Sequence, residues 1–256
     1  MRAQKRIGLA RVLSKRGYCS RVQAAALIRA GRVALNGRIT KDPESPVRML
    51  QDRIEIDGSP LEKAPAIYLM MNKPRGVLTT ASDEKGRKTV CDLLQSSLPW
   101  VSPVGRLDKA SEGLLLLTND SEWAARISDP ASHLDKKYHV QVNSIPDADL
   151  LEKIVRGRVG SVEGEFAGLP PRENLRAKAA RIVRHGDKHS WLEITLDEGK
   201  NRQIRRLLEA LQIRVLRLVR ISIGPLTLGG LKKGSTRALT IEEKEVLDRA
   251  IQASAR

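Results

Sequence analysis

The chain has 256 residues, enough for one large domain or a small one joined to a medium one. Hydrophobic residues make up 41%, which supports a packed core and excludes a wholly disordered chain. A formal net charge of +16, from 46 Lys and Arg against 30 Asp and Glu, points to polyanionic partners and away from basic ones.

RNA, DNA and acidic membrane surfaces are the polyanions on offer. A spanning helix needs about 20 apolar residues, and the longest leucine run is only Leu114 to Leu117. No apolar segment follows the basic N-terminus, so neither a secretory signal nor a membrane partner is expected. Two cysteines and four histidines make no disulfide framework and no zinc spacing. A reduced, cytoplasmic setting without a metal is expected. Aromatic residues are 3% of the chain, too few for a platform that stacks several bases, so nucleic acid would be held by charge and shape.

From Met1 to Lys41 there are 11 Lys and Arg and no acid. The pattern predicts a helix over Gln4 to Lys15, ended by Gly17, and a second opened by Ser20. Ser20 and Gln23 form a capping box, and Gly31 stands where that helix should stop. Arg32 to Leu35 and Arg38 to Thr40 flank Asn36-Gly37, a strong hairpin signal. Asp52 to Gly58 reads as a further strand, and Ser59 to Ala66, with two prolines, as a linker. Residues 1–60 and 67–256 are thus the expected domains. In the second, strands are predicted at Ile67 to Met71, Gly113 to Thr118, Tyr138 to Val142, Trp191 to Leu196 and Leu216 to Ile223. Helical patterns fall at Ser121 to Ile127, Asp147 to Arg156 and Arg202 to Leu211. The mixture is α+β and not a regular βαβ repeat.

Three segments carry reactive groups. In Gly105-Arg106-Leu107-Asp108 a carboxylate sits in a glycine-bounded loop just ahead of a buried strand. Taken alone, such an Asp more often caps its own turn. Tyr138, on a strand with Val140 and Val142 on its face, would ordinarily be half-buried core. Between Lys200 and Arg220 lie seven Lys and Arg and one acid, Glu209. There Ile204, Leu207, Leu208 and Leu211 form an apolar stripe with Arg205 beside it, and a half-buried Arg needs a partner.

The ungapped run from Gly105 to Asp120 resembles the signature of the RsuA-type pseudouridine synthases, which act on ribosomal RNA. Leu69 to Val77, with its Lys73-Pro74 turn, and Leu231 to Leu239 resemble the opening and closing elements of that family. Thr236 departs from it, standing where a Trp is expected. The basic N-terminal part resembles a small RNA-binding domain of two helices plus a hairpin. The resemblance implies a catalytic domain built on a mixed, mainly antiparallel sheet. It implies Asp108 as the catalytic carboxylate, Arg205 as its ion-pair partner, Tyr138 over the target uracil and Arg106 beside the flipped nucleotide. Lys5, Arg6, Arg21, Arg29, Arg32, Arg38, Lys73, Lys200, Arg202 and Arg206 are the expected contacts to RNA.

The implied function is isomerisation of a uridine in ribosomal RNA, or in a ribosomal subunit precursor, by a monomer that needs no cofactor. Lys73 to Thr80 and the residues up to Thr89 look more like the large-subunit branch than the small-subunit one. Two rivals are a ribosome-associated RNA-binding protein without activity and a metal-dependent nuclease. The nuclease needs clustered carboxylates, which Asp129 and Asp135 do not supply.

Overall fold

The computed structural model describes residues 6–49, 51–81, 83–157 and 175–254. The first unit runs β1 (Ile7–Gly8), α1 (Leu9–Lys15), α2 (Arg21–Arg29), β2 (Val33–Leu35), β3 (Arg38–Ile39), β4 (Pro46–Val47), β5 (Ile54–Ile56) and β6 (Ser59–Pro60). Its core is Leu9, Val12, Leu13, Ala24, Ile28, Val33, Val47 and Ile54, with neighbours from the same unit. The capping box forms as expected: the Ser20 hydroxyl accepts from Gln23 N, and the Gln23 side chain accepts from Ser20 N. Asn36 and Gly37 both take positive φ, 52° and 77°, which lets β2 and β3 turn back on each other.

Two boundaries differ from expectation. The first helix begins at Leu9 and not Gln4, because Ile7 and Gly8 pair as a strand with Val47 and Pro46. The strand path also extends into the expected linker: Ser59 and Pro60 pair with Ile56 and Glu55, and Leu61 is buried in the N-terminal core.

The second unit holds β7 (Tyr68–Lys73), β8 (Ser102–Val104), β9 (Glu112–Thr118), α3 (Ser121–Ser128), β10 (Lys136–Val142), α4 (Ala148–Arg156), β11 (Ala179–Arg184), β12 (Ser190–Leu196), α5 (Gln203–Ala210), β13 (Val215–Ile223), β14 (Leu226–Thr227), β15 (Thr236–Ala238) and α6 (Ile241–Ser254). Among the described residues the sheet runs β11-β12-β10-β13-β9-β7-β15, with β14 on β13 and β8 on β9. It is mixed and mainly antiparallel, its parallel pairing being β13 with β9. Every residue of β9 is buried, which explains its continuous apolar run. The sequence reading did not separate out β1, β4, β8, β11, β14, β15 or α6.

Side chains alternate between the two faces of a strand, so the faces can be told apart. On the front, Leu69, Met71, Leu115 and Leu117 pack with Val77, Val90 and Leu107, while Val140, Leu192, Ile194 and Leu218 pack under α4 and α5. On the back, Met70, Leu114 and Leu116 are covered by Trp123 and Ile127 of α3 and by Leu247 and Ile251 of α6. The Asp108 loop opens where the two front clusters meet.

Candidate active site

Residues 105–111 link β8 to β9, turning at Gly105 with φ 66°. The backbone carbonyls of the five residues 107 to 111 each accept a hydrogen bond from outside β9. Leu107 O accepts from Thr79 Oγ1 at 2.6 Å, and Leu107 N donates to the same hydroxyl at 3.3 Å. Asp108 O accepts from Lys73 Nζ at 3.1 Å and from Ser111 N at 2.9 Å. Lys109 O accepts from Gly76 N at 2.7 Å. Ala110 O accepts from Arg205 Nη2 at 3.1 Å, and Ser111 O from Lys73 Nζ at 2.9 Å. A loop held this way presents its side chains in a defined geometry.

The Asp108 side chain is 36% exposed, open enough for a substrate to reach. Among the described residues, the cation paired with it is Arg202, whose Nη1 lies 3.8 Å from Oδ2. Arg202 precedes α5 in a left-handed conformation, φ 49° and ψ 31°, unusual for a residue with a Cβ. Such strain is found where surrounding structure holds a residue for function. Both side chains are partly exposed, so the pair steers charge and adds little to stability, under about 1 kcal/mol.

The expected Asp108–Arg205 ion pair is therefore corrected: Arg202 takes that place. Arg205, one turn into α5, is half-buried and spends its guanidinium on the Ala110 carbonyl, with Nε buried and unpartnered among the described residues. Burial and the neighbouring Arg202 lower its pKa, and the Asp108 charge opposes them. Arg205 thus feels Asp108 without bonding it.

Lys73 is also corrected. It was expected to meet RNA, yet it is fully buried, with Nζ on the carbonyls of Pro74, Asp108 and Ser111. Burial pushes its pKa down to about 8, with Arg220 acting in the same sense and Asp108 and Glu112 against it.

Tyr138 is half-buried on the front face and packs against both front clusters, one of which contains Leu107. Its neighbour across the sheet is Arg220. Arg106 is exposed on the loop. Arg206 bonds Asn201 O, and Lys200 pairs with Glu198 at 3.0 Å, so both are engaged within the α5 approach. Arg6, Arg21, Arg29 and Arg38 are exposed on the first unit. Arg32 is exposed too, but its Nε binds Asp57 at 2.9 Å. Lys5 lies outside the described residues.

Sequence reasoning missed Thr79, Arg220 and Glu112. Arg220 is 6% exposed, donates from Nε to Leu114 O at 2.8 Å, and leaves Nη2 buried without a partner among the described residues. A signal existed: Arg220 falls in phase with buried Leu218, where a strand should be apolar. Glu112 is likewise in phase with Leu114 and Leu116. Burial would raise the Glu112 carboxyl, but hydrogen bonds from Arg217 and Lys233 outweigh it and the net shift is down.

A family model for RNA pseudouridylate synthases matches residues 67–210. The chain belongs to the RNA pseudouridylate synthase family. A model for the S4 domain matches residues 7–54, the unit built around α1 and α2. Ribosomal large subunit pseudouridine synthase B of Bacillus subtilis (strain 168) is 38% identical over 236 residues, 92% of this chain and 93% of that protein. A protein named as an uncharacterized RNA pseudouridine synthase of Aquifex aeolicus (strain VF5) is 38% identical over 240 residues, covering 93% and 92%. A crystal structure of a pseudouridylate synthase superposes with a TM-score of 0.63 at 28% identity, covering 94% of this chain and 99% of that one. In this pseudouridine synthase Thr236, the one noted departure, pairs with Met71 in the closing strand, and its hydroxyl is buried without a partner among the described residues. The closing strand forms without the tryptophan.

Proposed function

We propose that this synthase isomerises a uridine of large-subunit ribosomal RNA to pseudouridine, with Asp108 as the catalytic carboxylate. The observation that carries the reading is the Asp108 loop: five tethered carbonyls hold one accessible carboxylate beside a cluster of cations. The large-subunit target rests on the Bacillus subtilis relative and its near full-length match.

The reaction breaks a bond from C1′ to N1 of uracil and makes one from C1′ to C5, so it is redox-neutral within one nucleotide. The target must first leave its stack, at a cost of a few kcal/mol. Asp108 then acts as an anion, covalently or by stabilising positive charge at C1′. Tyr138 covers the detached base while it turns, Arg202 steadies the carboxylate, and Arg106 stands at the loop surface to hold the displaced nucleotide. The exposed arginines of the S4 domain meet phosphates of structured RNA, and binding weakens with salt as counterions are released. The free cysteines Cys19 and Cys91 suit a reducing cytoplasm.

Asp108→Asn keeps the shape of the side chain and removes its charge. Isomerisation of large-subunit rRNA should fall by at least about 10³-fold, while RNA affinity stays within a few-fold of the parent. Mapping pseudouridine in rRNA treated with each protein, alongside a binding titration, tests this. Full activity in Asp108→Asn refutes the assignment.

A further inference from the structure

We propose that the sheet face opposite Asp108 is a second RNA-docking surface, which takes the phosphate backbone of RNA flanking the target nucleotide. Lys73 and Tyr138 point to the front. The alternating residues Lys137 and His139 of β10, Trp191 and Glu193 of β12, and Arg217 of β13 point to the back. Helices α3 and α6 cover the back of the β7–β9 half. Among the described residues of β10 to β13, the back cluster takes Ile223 at the end of β13, and the rest of this half carries no apolar cover.

A bare polar face is common in antiparallel sheets. This one is organised in two tiers. Glu112, its side chain only 5% exposed, accepts from Arg217 Nε and Nη2, both at 3.2 Å, and pairs with Lys233 at 2.5 Å. Glu193, 13% exposed, accepts from Arg181 Nε at 2.9 Å and lies 3.5 Å from His139 Nε2. The cations above them are 45% (Arg217), 53% (Lys233) and 70% (Arg181) exposed. Carboxylates thus lie on the sheet floor and cations stand over them. The buried acids order the long basic side chains, which lowers the entropy lost on binding, and each guanidinium keeps spare N–H donors facing out. Arg217 also lies 5.6 Å over the Trp191 ring, which orients it further. Lys137 and Arg184 add exposed positive charge on the same side.

What faces solvent is therefore cationic, from β11 across to β9. Strands are about 4.8 Å apart, so the rim extends roughly 19 Å. Charge complementarity with a polyanion chooses the occupant, and the RNA-modifying reading of the front face makes that polyanion RNA. Bases are not read here; phosphates are.

The test uses the full chain with Lys137→Gln, Arg181→Gln and Arg184→Gln, since glutamine can still donate to Glu193. The probe is an in vitro transcript of large-subunit rRNA. The triple variant should keep its unfolding midpoint and its single-turnover isomerisation rate at saturating protein. Its Kd should weaken tenfold or more, and the slope of log affinity on log salt should become shallower by about 2, at roughly 0.7 per lost single-strand phosphate contact. A control with Lys153→Gln, Arg156→Gln and Arg249→Gln removes the same charge away from this face. Unchanged affinity in the first variant, or an equal loss in the control, overturns the proposal. Failure of the parent protein to isomerise the transcript would count against the catalytic reading instead, because binding is measured separately.

Discussion

A buried ammonium with three carbonyl acceptors behaves unlike a surface lysine. Lys73 has three N–H donors and uses them on Pro74, Asp108 and Ser111. Deprotonation leaves two donors for three carbonyls and loosens the loop that carries Asp108. With the pKa near 8, kcat/KM should decline as pH rises through about 8. Stability should move the other way. The folded pKa lies below the unfolded value, so the charged lysine costs stability at low pH. That cost is relieved between about 8 and the unfolded value of 10.5. A pH–rate profile set beside unfolding measured over the same range checks both signs. Thr79 offers a second residue-scale test, because its hydroxyl both donates to and accepts from Leu107. Thr79→Val should lower kcat by about tenfold to a hundredfold with KM for RNA little changed, and Thr79→Ser should restore most of it.

At the level of elements, the crossing of β9 with β13 decides where the loop begins. Gly113 has φ 103°, and a Cβ there would stand 2.3 Å from Arg220 O and 2.7 Å from Arg220 N. The parallel pair Val219–Glu112 and Arg220–Gly113 requires that approach. Gly113→Ala should cost about 3 kcal/mol or more in unfolding free energy, measured by denaturant titration, because both φ and the sheet contact are lost. Helix α5 makes the matching contribution from the other side. Its start is locked by Gln203, 2% exposed, whose amide donates to Arg176 O and Glu198 Oε1 while its carbonyl oxygen accepts from Lys200 N. That lock sets Arg202 against Asp108 and turns Arg205 toward Ala110.

Across the whole molecule, the S4 unit is seated on the synthase by a small set of polar contacts. Asn119, 3% exposed, accepts from Ile67 N at 2.8 Å and donates to Pro65 O at 2.8 Å. Lys15 reaches Glu122 at 3.0 Å, and Ala64 N donates to Arg16 O at 3.1 Å. Asn119→Ala removes a buried side chain that holds the connection between the units. It should cost about 1–3 kcal/mol in stability and reduce affinity for structured rRNA more than the rate at saturation. Thermal unfolding and a binding titration separate the two effects.

Local pattern alone was enough for several features: the capping box at Ser20, the Asn36-Gly37 hairpin, the buried β9 run and the basic N-terminal segment. Each rests on interactions between residues a few positions apart. The Gly105 to Asp120 string singled out Asp108 through its resemblance to a known family, since taken alone an Asp in such a loop reads as a turn cap. Tertiary structure decided the rest. Whether Arg202 or Arg205 stands by Asp108 depends on how α5 approaches a loop almost a hundred residues earlier in the chain. Lys73 was misplaced for the same reason: a lysine after a strand reads as exposed until the sheet folds three carbonyls around it. The short strands β1, β4 and β15 have no pattern of their own, since partners distant in the chain define them. Side-chain periodicity is a local property, whereas the pairing of charges and the burial of a single cation are set by long-range packing.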